Sequence, residues 1–348
     1  MKKFKVQSSK FKVLEIVFLL LISHFSLLTS CSPHKEKVYR KTVIHMDTLV
    51  TINVVSDSAE KAEKAMDKAF VVIDKLEKLL TYFSDQSELA MINRKAGVSP
   101  VKVSPETLEV IEEALNTSEE TEGSFDVTIG PEISLWDFHK QKKPDYQTIK
   151  KKLELVNYKL AEIDKEETTV YLRRKGMIID LGAIAKGYAA DKAVEELMRQ
   201  RIRSGLVSVA GDIRAFGLRP DGKPWRVGIR DPRPKNKDNE IMAIVDLTDM
   251  AISTSGDYER YFFSDGKRYH HILNPKTGYP AMECQGVTVI AKTGVQADSF
   301  STGVFVLGPE KGMAVLKQMG FEGMIVDKDG KVTTTPGLRG RIEFKRNN

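Results

Sequence analysis

The stretch from Ile178 to Val194, IIDLGAIAKGYAADKAV, constrains the fold more than any other part of the chain. Two isoleucines lead into Asp180, Gly182 permits a tight turn, and a helical pattern begins shortly before Lys186. A strand ending at Asp180 would place its carboxylate at the end of a sheet, and the following helix would point free N–H groups at the same space. The stretch therefore predicts a strand, turn and helix corner that can bind an anion.

Two interpretations of this corner stay open. Lys186 and the helix N-terminus suit phosphate, and Asp180 can accept hydrogen bonds from a base or a ribose. The alternative is an ordinary structural corner with Lys186 in solvent. The stretch lacks the spacings of a P-loop and of the G-x-G-x-x-G dinucleotide fingerprint, so neither of those motifs is predicted.

The composition is that of a globular chain. It has 348 residues, 41% hydrophobic and 29% charged, which excludes a disordered chain and is enough to bury a core. No repeat, low-complexity tract or long linker follows Lys41. Helical and strand-like patterns alternate along the rest, which predicts one α+β domain. Helices are expected from a cap at Asp57 to Leu80, after a cap at Ser104, and over Tyr146–Leu153, Ala185–Arg203 and Glu310–Met319; strands are expected at Asp47–Val55 and in GLVSVAG, WRVGIR, IMAIVDL, AISTS and GVTVIA.

The first thirty residues have the pattern of an export signal. Lysines precede an apolar stretch from Ile16 to Leu28, and small residues follow it up to Cys31. About thirteen apolar residues fall short of the roughly 20 that a membrane-spanning helix needs. The sequence therefore predicts a cleaved signal over residues 1–30, a polar tether over residues 31–44 and the folded domain over residues 45–348.

Removal of the signal changes the charge and the cysteine count. Residues 1–30 hold five lysines and one glutamate, a surplus of four positive charges, so the net charge falls from +6 to +2. A chain so nearly neutral gives no electrostatic basis for nucleic-acid binding, and none is predicted. The ending Leu-Thr-Ser-Cys resembles a bacterial lipobox, which would make Cys31 a lipidated residue; a plain secretory signal is the alternative. With Cys31 lipidated, Cys284 has no intramolecular disulfide partner.

Two further stretches carry residues suited to catalysis. In GVQADSFSTGVFVLG, Asp298 and Thr302 are four residues apart and share one face of a helix, and both offer oxygen ligands of the kind Mg²⁺ prefers. The alternative is an ordinary helix start with Asp298 as its cap. In RYHHILNPKTG, adjacent histidines of a strand point to opposite faces, so one is free for acid–base work. Phe125 beside Asp126 adds an aromatic platform next to a carboxylate.

In their order along the chain, these stretches resemble the ApbE family, the FAD:protein FMN transferases, which are bacterial flavin-handling lipoproteins. The resemblance covers nearly all of the chain from Met46 onwards. It implies a single α+β domain, T-fold-related, of mixed, largely antiparallel sheets with packed helices, behind a cleaved lipoprotein signal. The matching stretches are MDT (46–48), TYFSDQSELAMIN (81–93), GSFDVTIGP (123–131), DLGAIAKGYAAD (180–191), AGDIRAFG (210–217), WRVGIRDP (225–232), ISTSGDYER (252–260), HHILNPKTG (270–278) and ADSFST (297–302).

The resemblance also implies a set of site residues. Mg²⁺ would be held by the backbone carbonyl of Ala183 with Asp298 and Thr302, with Ser301 as a neighbour. The proton of the acceptor hydroxyl would pass to His271 or to a pocket acid such as Asp180. Residues that depart from the usual pattern are Asp47, Ala183 and Ala210 in place of glycine and Asn274 in place of aspartate. The FAD site would be lined by Met46, Tyr82, Ser124, Phe125, Asp126, Asp180, Lys186, His271 and Ile272.

The activity that the resemblance implies is Mg²⁺-dependent transfer of FMN from FAD to a threonine or serine hydroxyl of a target protein, with release of AMP. Two alternatives use the same residues: a Mg²⁺-dependent FAD pyrophosphatase with water as nucleophile, and a non-catalytic FAD-binding lipoprotein. The expected partners are FAD, the flavin-accepting subunits of membrane redox pumps or other exported flavoproteins, and a membrane reached through the lipid anchor. The expected location is the periplasmic side of a membrane or the outer cell surface.

Overall fold

The computed structural model of the protein describes residues 36–235 and 240–345. The predicted signal over residues 1–30 and the predicted lipidation site Cys31 lie outside these ranges. Within them, no helix combines the length and the apolar character needed to span a membrane.

The centre of the fold is an eight-stranded sheet in which every neighbouring pair is antiparallel. Alternation of buried and exposed side chains explains its strands; in the second strand, for example, Val50, Ile52 and Val54 are fully buried on one face. With strands numbered along the chain, the sheet order is β1 (Lys37–His45), β2 (Thr48–Ser56), β6 (Gly205–Val209), β7 (Asp212–Phe216), β10 (Ala251–Gly256), β13 (Cys284–Ala291), β14 (Glu322–Asp327) and β15 (Val332–Thr334).

Three smaller antiparallel sheets surround the main one. One of them, which contains β8 (Trp225–Arg230) and β9 (Ile241–Leu247), covers one face of the main sheet, because Val227 and Val245 pack in one core cluster with Ile252 and Ile290. The three sheets are β16 (Ile342–Phe344), β9 (Ile241–Leu247) and β8 (Trp225–Arg230); β3 (Val101–Lys102), β5 (Thr169–Leu172) and β4 (Ala161–Asp164); and the hairpin of β11 (Tyr261–Ser264) and β12 (Lys267–His270).

Helices cover the opposite face of the main sheet, which gives three layers. Ala190 and Ala193 of the central helix pack in one cluster with Val207 of β6, while Phe305 packs in another with Val289 of β13. The helices are α1 (Ala59–Leu80), α2 (Glu88–Arg94), α3 (Pro105–Glu120), α4 (Gly130–Ile133), α5 (Tyr146–Leu153), α6 (Ala185–Arg199), α7 (Gly294–Leu307) and α8 (Pro309–Gln318), with 3₁₀ turns at Tyr158–Leu160 and Pro336–Leu338.

Most predicted elements are confirmed, with small shifts at their ends. The Ser104 cap and the bounds of α5 are as predicted. The cap of α1 is Ser58 and not Asp57, since the Ser58 side chain accepts the hydrogen bond of the Lys61 N–H. Helix α6 ends at Arg199, before the predicted Arg203.

The prediction of a tether over residues 31–44 is wrong from Lys37 onwards. Residues 37–45 form β1, which pairs with β2 over its whole length. The segment looks polar because β1 is an edge strand, where charged side chains keep unpaired backbone groups from pairing with another chain. The folded domain therefore begins before residue 45.

The predicted strand ending at Asp180 is also wrong, although the corner itself forms. Ile178 makes only an isolated parallel bridge with Ile129. The side chain of Asn93 then takes the place of a neighbouring strand: its amide donates to the Ile179 carbonyl at 3.0 Å, and its carbonyl accepts from the Ile179 N–H at 2.8 Å. A side chain 86 residues away thus stabilises the extended backbone that a sheet was expected to hold.

Candidate active site

The site is built where α6 and α7 cross at two glycines. A Cβ added to Gly187 would lie 2.1 Å from the carbonyl oxygen of Gly294, and one added to Gly294 would lie 2.4 Å from that of Gly187. Both distances are far below van der Waals contact, so any larger residue would force the helices apart. This close approach lets the Gly187 N–H donate to Oδ2 of Asp298 at 3.0 Å.

The ammonium group of Lys186 joins two carboxylates at this crossing. Lys186 Nζ donates to Asp212 Oδ2 at 2.7 Å and lies 3.4 Å from both carboxylate oxygens of Asp298. Asp212 opens β7, so three elements meet at one ammonium group. The corner that follows Asp180 and the acid of α7 therefore lie in the same place, as the predicted FAD and Mg²⁺ sites require.

The charges at this centre do not balance. Burial, together with the charge of Asp212, raises the pKa of Asp298 to about 7. Burial alone would lower the pKa of Lys186, but the two carboxylates outweigh it and hold that pKa above its ordinary value. Two acids thus share one cation in a buried place, an arrangement that favours a further positive charge.

Hydroxyl groups from β10 and α7 complete the centre. Ser253 donates to Asp212 Oδ1. The Ser255 hydroxyl oxygen lies 2.8 Å from that of Ser301 and 3.0 Å from that of Thr302. Ser301 also donates to the backbone carbonyl of Asp298 at 2.8 Å. The alternative in which Asp298 caps its helix is wrong, because Thr293 is the cap of α7.

The donor set fits Mg²⁺. Carboxylate, hydroxyl and carbonyl oxygens are the ligands of hard cations. The Gly187 N–H points at Asp298, and among the described residues no backbone N–H donates to the Ala183 carbonyl, which leaves its lone pairs available to a cation. In the same ranges, no three side chains of His, Cys, Asp or Glu converge as a metal site. A cation here would therefore depend on hydroxyls and a backbone carbonyl beside Asp298.

The adjacent histidines have different environments. His270 is buried, donates from Nε2 to the Ala281 carbonyl at 2.7 Å and accepts from the Ile272 N–H at Nδ1, 3.3 Å away. His271 has a buried Nδ1 without a partner in the described part of the chain. Burial, then the charge of Arg260, lowers the pKa of His271 to about 3, so its ring is neutral at pH 7. Of the two rings, only that of His271 has a nitrogen without a hydrogen-bond partner among the described residues.

A profile of the ApbE family matches residues 46–325. The chain belongs to the ApbE family. It is similar to the FAD:protein FMN transferase of Treponema pallidum, with 33% identity over an alignment 326 residues long that covers 88% of this chain and 90% of the relative. It is similar also to that of Escherichia coli K12, 30% identical over 328 residues, 90% of this chain and 93% of the relative.

Solved structures of ApbE proteins agree with the fold. The ApbE protein of Thermotoga maritima aligns with a TM-score of 0.80 at 31% identity, covering 88% of this chain and 99% of its own. The apo flavinyl transferase ApbE of Pseudomonas stutzeri aligns with a TM-score of 0.77 at 30% identity, covering 88% and 97%. The predicted family and the predicted α+β architecture of largely antiparallel sheets are confirmed.

The hairpin between β1 and β2 brings Met46 toward this ApbE site. Met46 and Asp47 form its turn with φ of +52° and +55°, the left-handed region that favours glycine and that aspartate tolerates better than most residues. Met46 packs against the core and Asp47 is exposed. The Ala210 N–H donates to the Leu49 carbonyl at 3.3 Å, two residues before Asp212, so this turn lies at the end of the sheet that carries the site.

The stretch from Ser124 to Asp126 is largely occupied by internal contacts. Asp126 Oδ1 accepts from the Thr128 N–H and hydroxyl at 2.8 and 2.7 Å, and Oδ2 accepts from the Tyr158 N–H at 3.1 Å. Ser124 and Phe125 are buried, the latter with 4% of its surface exposed, so the expected aromatic platform is not open. These residues lie against α7, since a Cβ on Gly303 would be 3.2 Å from Phe125 Cβ.

The other expected FAD contacts differ in their exposure. Tyr82 is 46% exposed in the connection after α1, and Ile272 is buried next to His271. Asp180 accepts the Gly182 N–H at 2.8 Å; burial raises the pKa of Asp180, and the charge of Arg260 opposes that rise.

Sequence reasoning missed four functional candidates in this ApbE chain: Asp212, Ser253, Ser255 and Arg260. Each lies in a stretch that supports the family resemblance, AGDIRAFG or ISTSGDYER, so the signal was present. What the sequence did not show is the pairing. Asp212 meets Lys186 across 26 residues, and Ser253 meets Asp212 across 41.

Proposed function

We propose that the chain transfers FMN from FAD to a threonine or serine hydroxyl of a target protein in a Mg²⁺-dependent reaction. The hydroxyl oxygen forms a bond to the FMN-side phosphorus, and the bond from that phosphorus to the bridging oxygen breaks. AMP leaves with the bridging oxygen, and FMN stays on the protein as a phosphoester. The observation that carries the proposal is the buried centre in which Lys186 joins Asp212 and Asp298.

The diphosphate of FAD suits the basic groups of the site. Lys186 lies in the first turn of α6, and helix N-termini favour anions. Arg260 is exposed, and its charge acts on both Asp180 and His271. These groups hold the diphosphate, while Asp180 accepts hydrogen bonds from the base or ribose. FAD binding further engages Met46, Tyr82 and Ile272, while the buried Ser124 to Asp126 stretch supports the site through its internal contacts.

Asp298, Thr302 and the Ala183 carbonyl would hold Mg²⁺, with Ser301 as a neighbour. Held there, Mg²⁺ would supply positive charge against the diphosphate during transfer. It would also favour the ionised form of Asp298, whose pKa is raised by burial and by the charge of Asp212.

His271 takes the proton of the acceptor hydroxyl. With a pKa of about 3 it is a weak base, since burial and the nearby cations Arg260 and Lys186 disfavour its charged form. The negative diphosphate of FAD opposes the charge of those cations, which is the smaller cause after burial, and raises the basicity of the ring by that part. Asp180, whose pKa is raised by burial, is the second proton acceptor in reach of the same cation.

The names of the relatives support the proposed activity, and the signal-like N-terminus supports export. Relatives over most of this length are named FAD:protein FMN transferases. We propose that residues 1–30 direct export, that Cys31 carries the lipid, and that the domain faces the periplasm or the outer cell surface. Its targets are the flavin-accepting subunits of membrane redox pumps or other exported flavoproteins.

The test is an incubation of the full-length chain with FAD, Mg²⁺ and a flavin-accepting subunit, with AMP and protein mass as readouts. Transfer produces AMP together with an acceptor whose mass has increased by one FMN. A chelator abolishes both, and added Mg²⁺ restores them. AMP with free FMN and an unmodified acceptor contradicts transfer and indicates a pyrophosphatase; bound FAD with no AMP indicates a binding protein.

A further inference from the structure

The crossing of α6 with α7 is held by two aspartates that act reciprocally. The Gly187 N–H donates to Asp298 Oδ2 at 3.0 Å, and the Gly294 N–H donates to Asp191 Oδ1 at 2.7 Å. Asp191 lies four residues after Gly187, and Asp298 lies four residues after Gly294, so each aspartate shares a helix face with the glycine of its own helix. Each helix therefore supplies one acid that binds the backbone of the other. The proposed function uses Asp298 and gives Asp191 no role.

Asp191 holds the N-terminus of α7 with both of its carboxylate oxygens. While Oδ1 accepts the Gly294 N–H, Oδ2 accepts the Val295 N–H at 2.9 Å. The first N–H groups of a helix have no partner within that helix. The Thr293 side chain accepts only the third of them, that of Gln296, at 3.4 Å. The first two N–H groups of α7 therefore depend on a side chain of α6.

A third element fixes Asp191 in this position. Arg214 Nε lies 3.3 Å from Asp191 Oδ1, and Arg214 is on β7, two residues after Asp212. Burial raises the pKa of Asp191 to about 6, against the hydrogen bonds of the two N–H groups, so the carboxylate is mostly ionised at neutral pH and can accept from both. Asp191 thus joins α6, β7 and α7, the same three elements that meet at Lys186.

The proposed cation ligands are divided between the two sides of this crossing. The Ala183 carbonyl directly precedes α6, while Asp298 and Thr302 lie on α7. A metal ion binds well only when its ligand distances are correct to within about 0.2 Å. Gly187 and Gly294 contribute only backbone to the contact, so hydrogen bonds rather than interlocking side chains fix the two helices there. Cation affinity should therefore depend on those hydrogen bonds.

We propose that Asp191 is a positioning residue for the cation: by holding the N-terminus of α7 against α6, it sets the distance of Asp298 and Thr302 from the Ala183 carbonyl. Asp191 acts through α7 and is not itself a ligand. The inference rests on the proposed function, because the cation is the one assigned there. Loss of a residue that orients a metal ligand typically weakens metal binding by about 10- to 100-fold.

The test measures Mn²⁺ binding to the full-length chain at neutral pH, from the loss of the EPR signal of the free ion. FAD binding is measured separately in the presence of EDTA, from flavin fluorescence. Asp191→Asn keeps the shape of the side chain but offers one acceptor to two N–H groups. It should weaken Mn²⁺ binding at least about tenfold and change the Kd for FAD less than about twofold, whereas a general loss of structure would weaken both.

Two controls separate positioning from helix capping and from charge. Thr293→Ala removes the other cap of α7, which does not join that helix to α6. Glu195→Gln removes an exposed negative charge of α6 that acts on Asp191. Both should keep Mn²⁺ affinity within about twofold of the unaltered chain. Asp191→Ser leaves room for a water beside the two N–H groups and replaces Asp191→Asn if that variant does not fold; the same loss of Mn²⁺ affinity is expected.

The outcomes distinguish this inference from the proposed function. Mn²⁺ binding by the Asp191 variants within about twofold of the unaltered chain, or an equal loss in either control, overturns the positioning role and leaves the proposed function standing. An unaltered chain that binds no Mn²⁺ overturns the cation site of the proposed function, and this inference with it. FMN transfer by the unaltered chain is read separately, from the mass of the flavin-accepting subunit.

Discussion

Two buried aspartates, in the loop before α4 and at the crossing of α6 with α7, are held in opposite ways. Asp126 accepts three hydrogen bonds from neutral donors, two backbone N–H groups and one hydroxyl. Asp298 accepts one N–H and shares the ammonium of Lys186 with Asp212. Three dipoles stabilise the first carboxylate, although burial still raises its pKa, while the second carboxylate is left within a surplus of negative charge. A buried acid of the first kind fixes a loop, and one of the second kind is prepared for a ligand.

The adjacent histidines repeat this contrast. Both ring nitrogens of His270 have backbone partners, whereas Nδ1 of His271 has none in the described ranges. In both pairs, the residue with complete internal partners belongs to the scaffold. The residue with incomplete partners is the one to which the proposed function gives a chemical role.

Replacement of Asp298, the aspartate within a surplus of negative charge, gives the largest expected effect. Asp298→Asn should reduce the rate of FMN transfer by about 10³-fold, because the charge that faces the cation and Lys186 is removed. The free energy of unfolding should stay the same or rise, since repulsion from Asp212 is relieved. The measurements are transfer rate under saturating FAD and a urea titration; a rate within tenfold of the unaltered chain contradicts the assignment.

Replacement of each adjacent histidine gives the next largest expected effect and distinguishes proton transfer from structural support. His271→Ala should slow transfer by about 100-fold while the Kd for FAD changes little, because a proton acceptor acts mainly in the transition state. His270→Ala is its control and should lower the melting temperature, since the Ala281 carbonyl and the Ile272 N–H lose their partner. An unchanged transfer rate in His271→Ala removes this histidine from the mechanism.

Replacement of Asp126, the aspartate that fixes a loop, should affect stability. Asp126→Ala leaves two backbone N–H groups and one hydroxyl without their acceptor, which costs about 2 kcal/mol of unfolding free energy. Transfer by the folded fraction should stay within a few-fold of the unaltered chain. A large loss of transfer with normal stability would mean that Asp126 contacts FAD directly and that the contrast with Asp298 is wrong.

Glu132 is held differently from both aspartates, because it is a buried carboxyl with no partner for either oxygen in the described chain. Burial raises its pKa from 4.5 to about 7, against the opposing charge of Lys152. Between these pH values the folded protein keeps a proton that the unfolded chain releases, so the contribution of Glu132 to stability is complete below about pH 4.5 and is lost as the pH rises through about 7.

Glu132→Gln should therefore flatten the pH dependence. The difference in unfolding free energy between pH 5 and pH 8 should shrink by about 2 kcal/mol, as measured by urea titration at both values. The same slope in both proteins would show that Glu132 is not the titrating group.

Local patterns account for most of the fold that could be predicted. The Ser104 cap and the span of α5 follow from side chains within a few residues of each other, and such signals are visible in a sequence. β1 was not predicted because its lysines resemble those of a tether. The side chains that cover its inner face belong to other elements and are not visible in its own sequence. The extended backbone before Asp180 was expected in a sheet, but Asn93, distant in sequence, stabilises it instead.

The candidate site was predictable only in part, for the same reason. The family resemblance indicates Lys186 and Asp298, and their meeting depends on a contact between helices 107 residues apart at Gly187 and Gly294. Asp212 lies in a stretch whose pattern indicates only a strand and a turn. Its role as the second carboxylate of Lys186 appears only when β7 and α6 are brought together.

The contact of Gly187 with Gly294 also sets a rule for transplanting this chemistry. Asp298 is aligned by two peptide backbones that touch, and no choice of rotamer elsewhere can substitute for that contact. A designer who copies the lysine, the acids and the hydroxyls onto another scaffold, but spaces the helices at an ordinary distance, will reproduce the composition of the centre and lose its arrangement. Gly187 and Gly294, the two residues without side chains, are therefore the ones that have to be copied first.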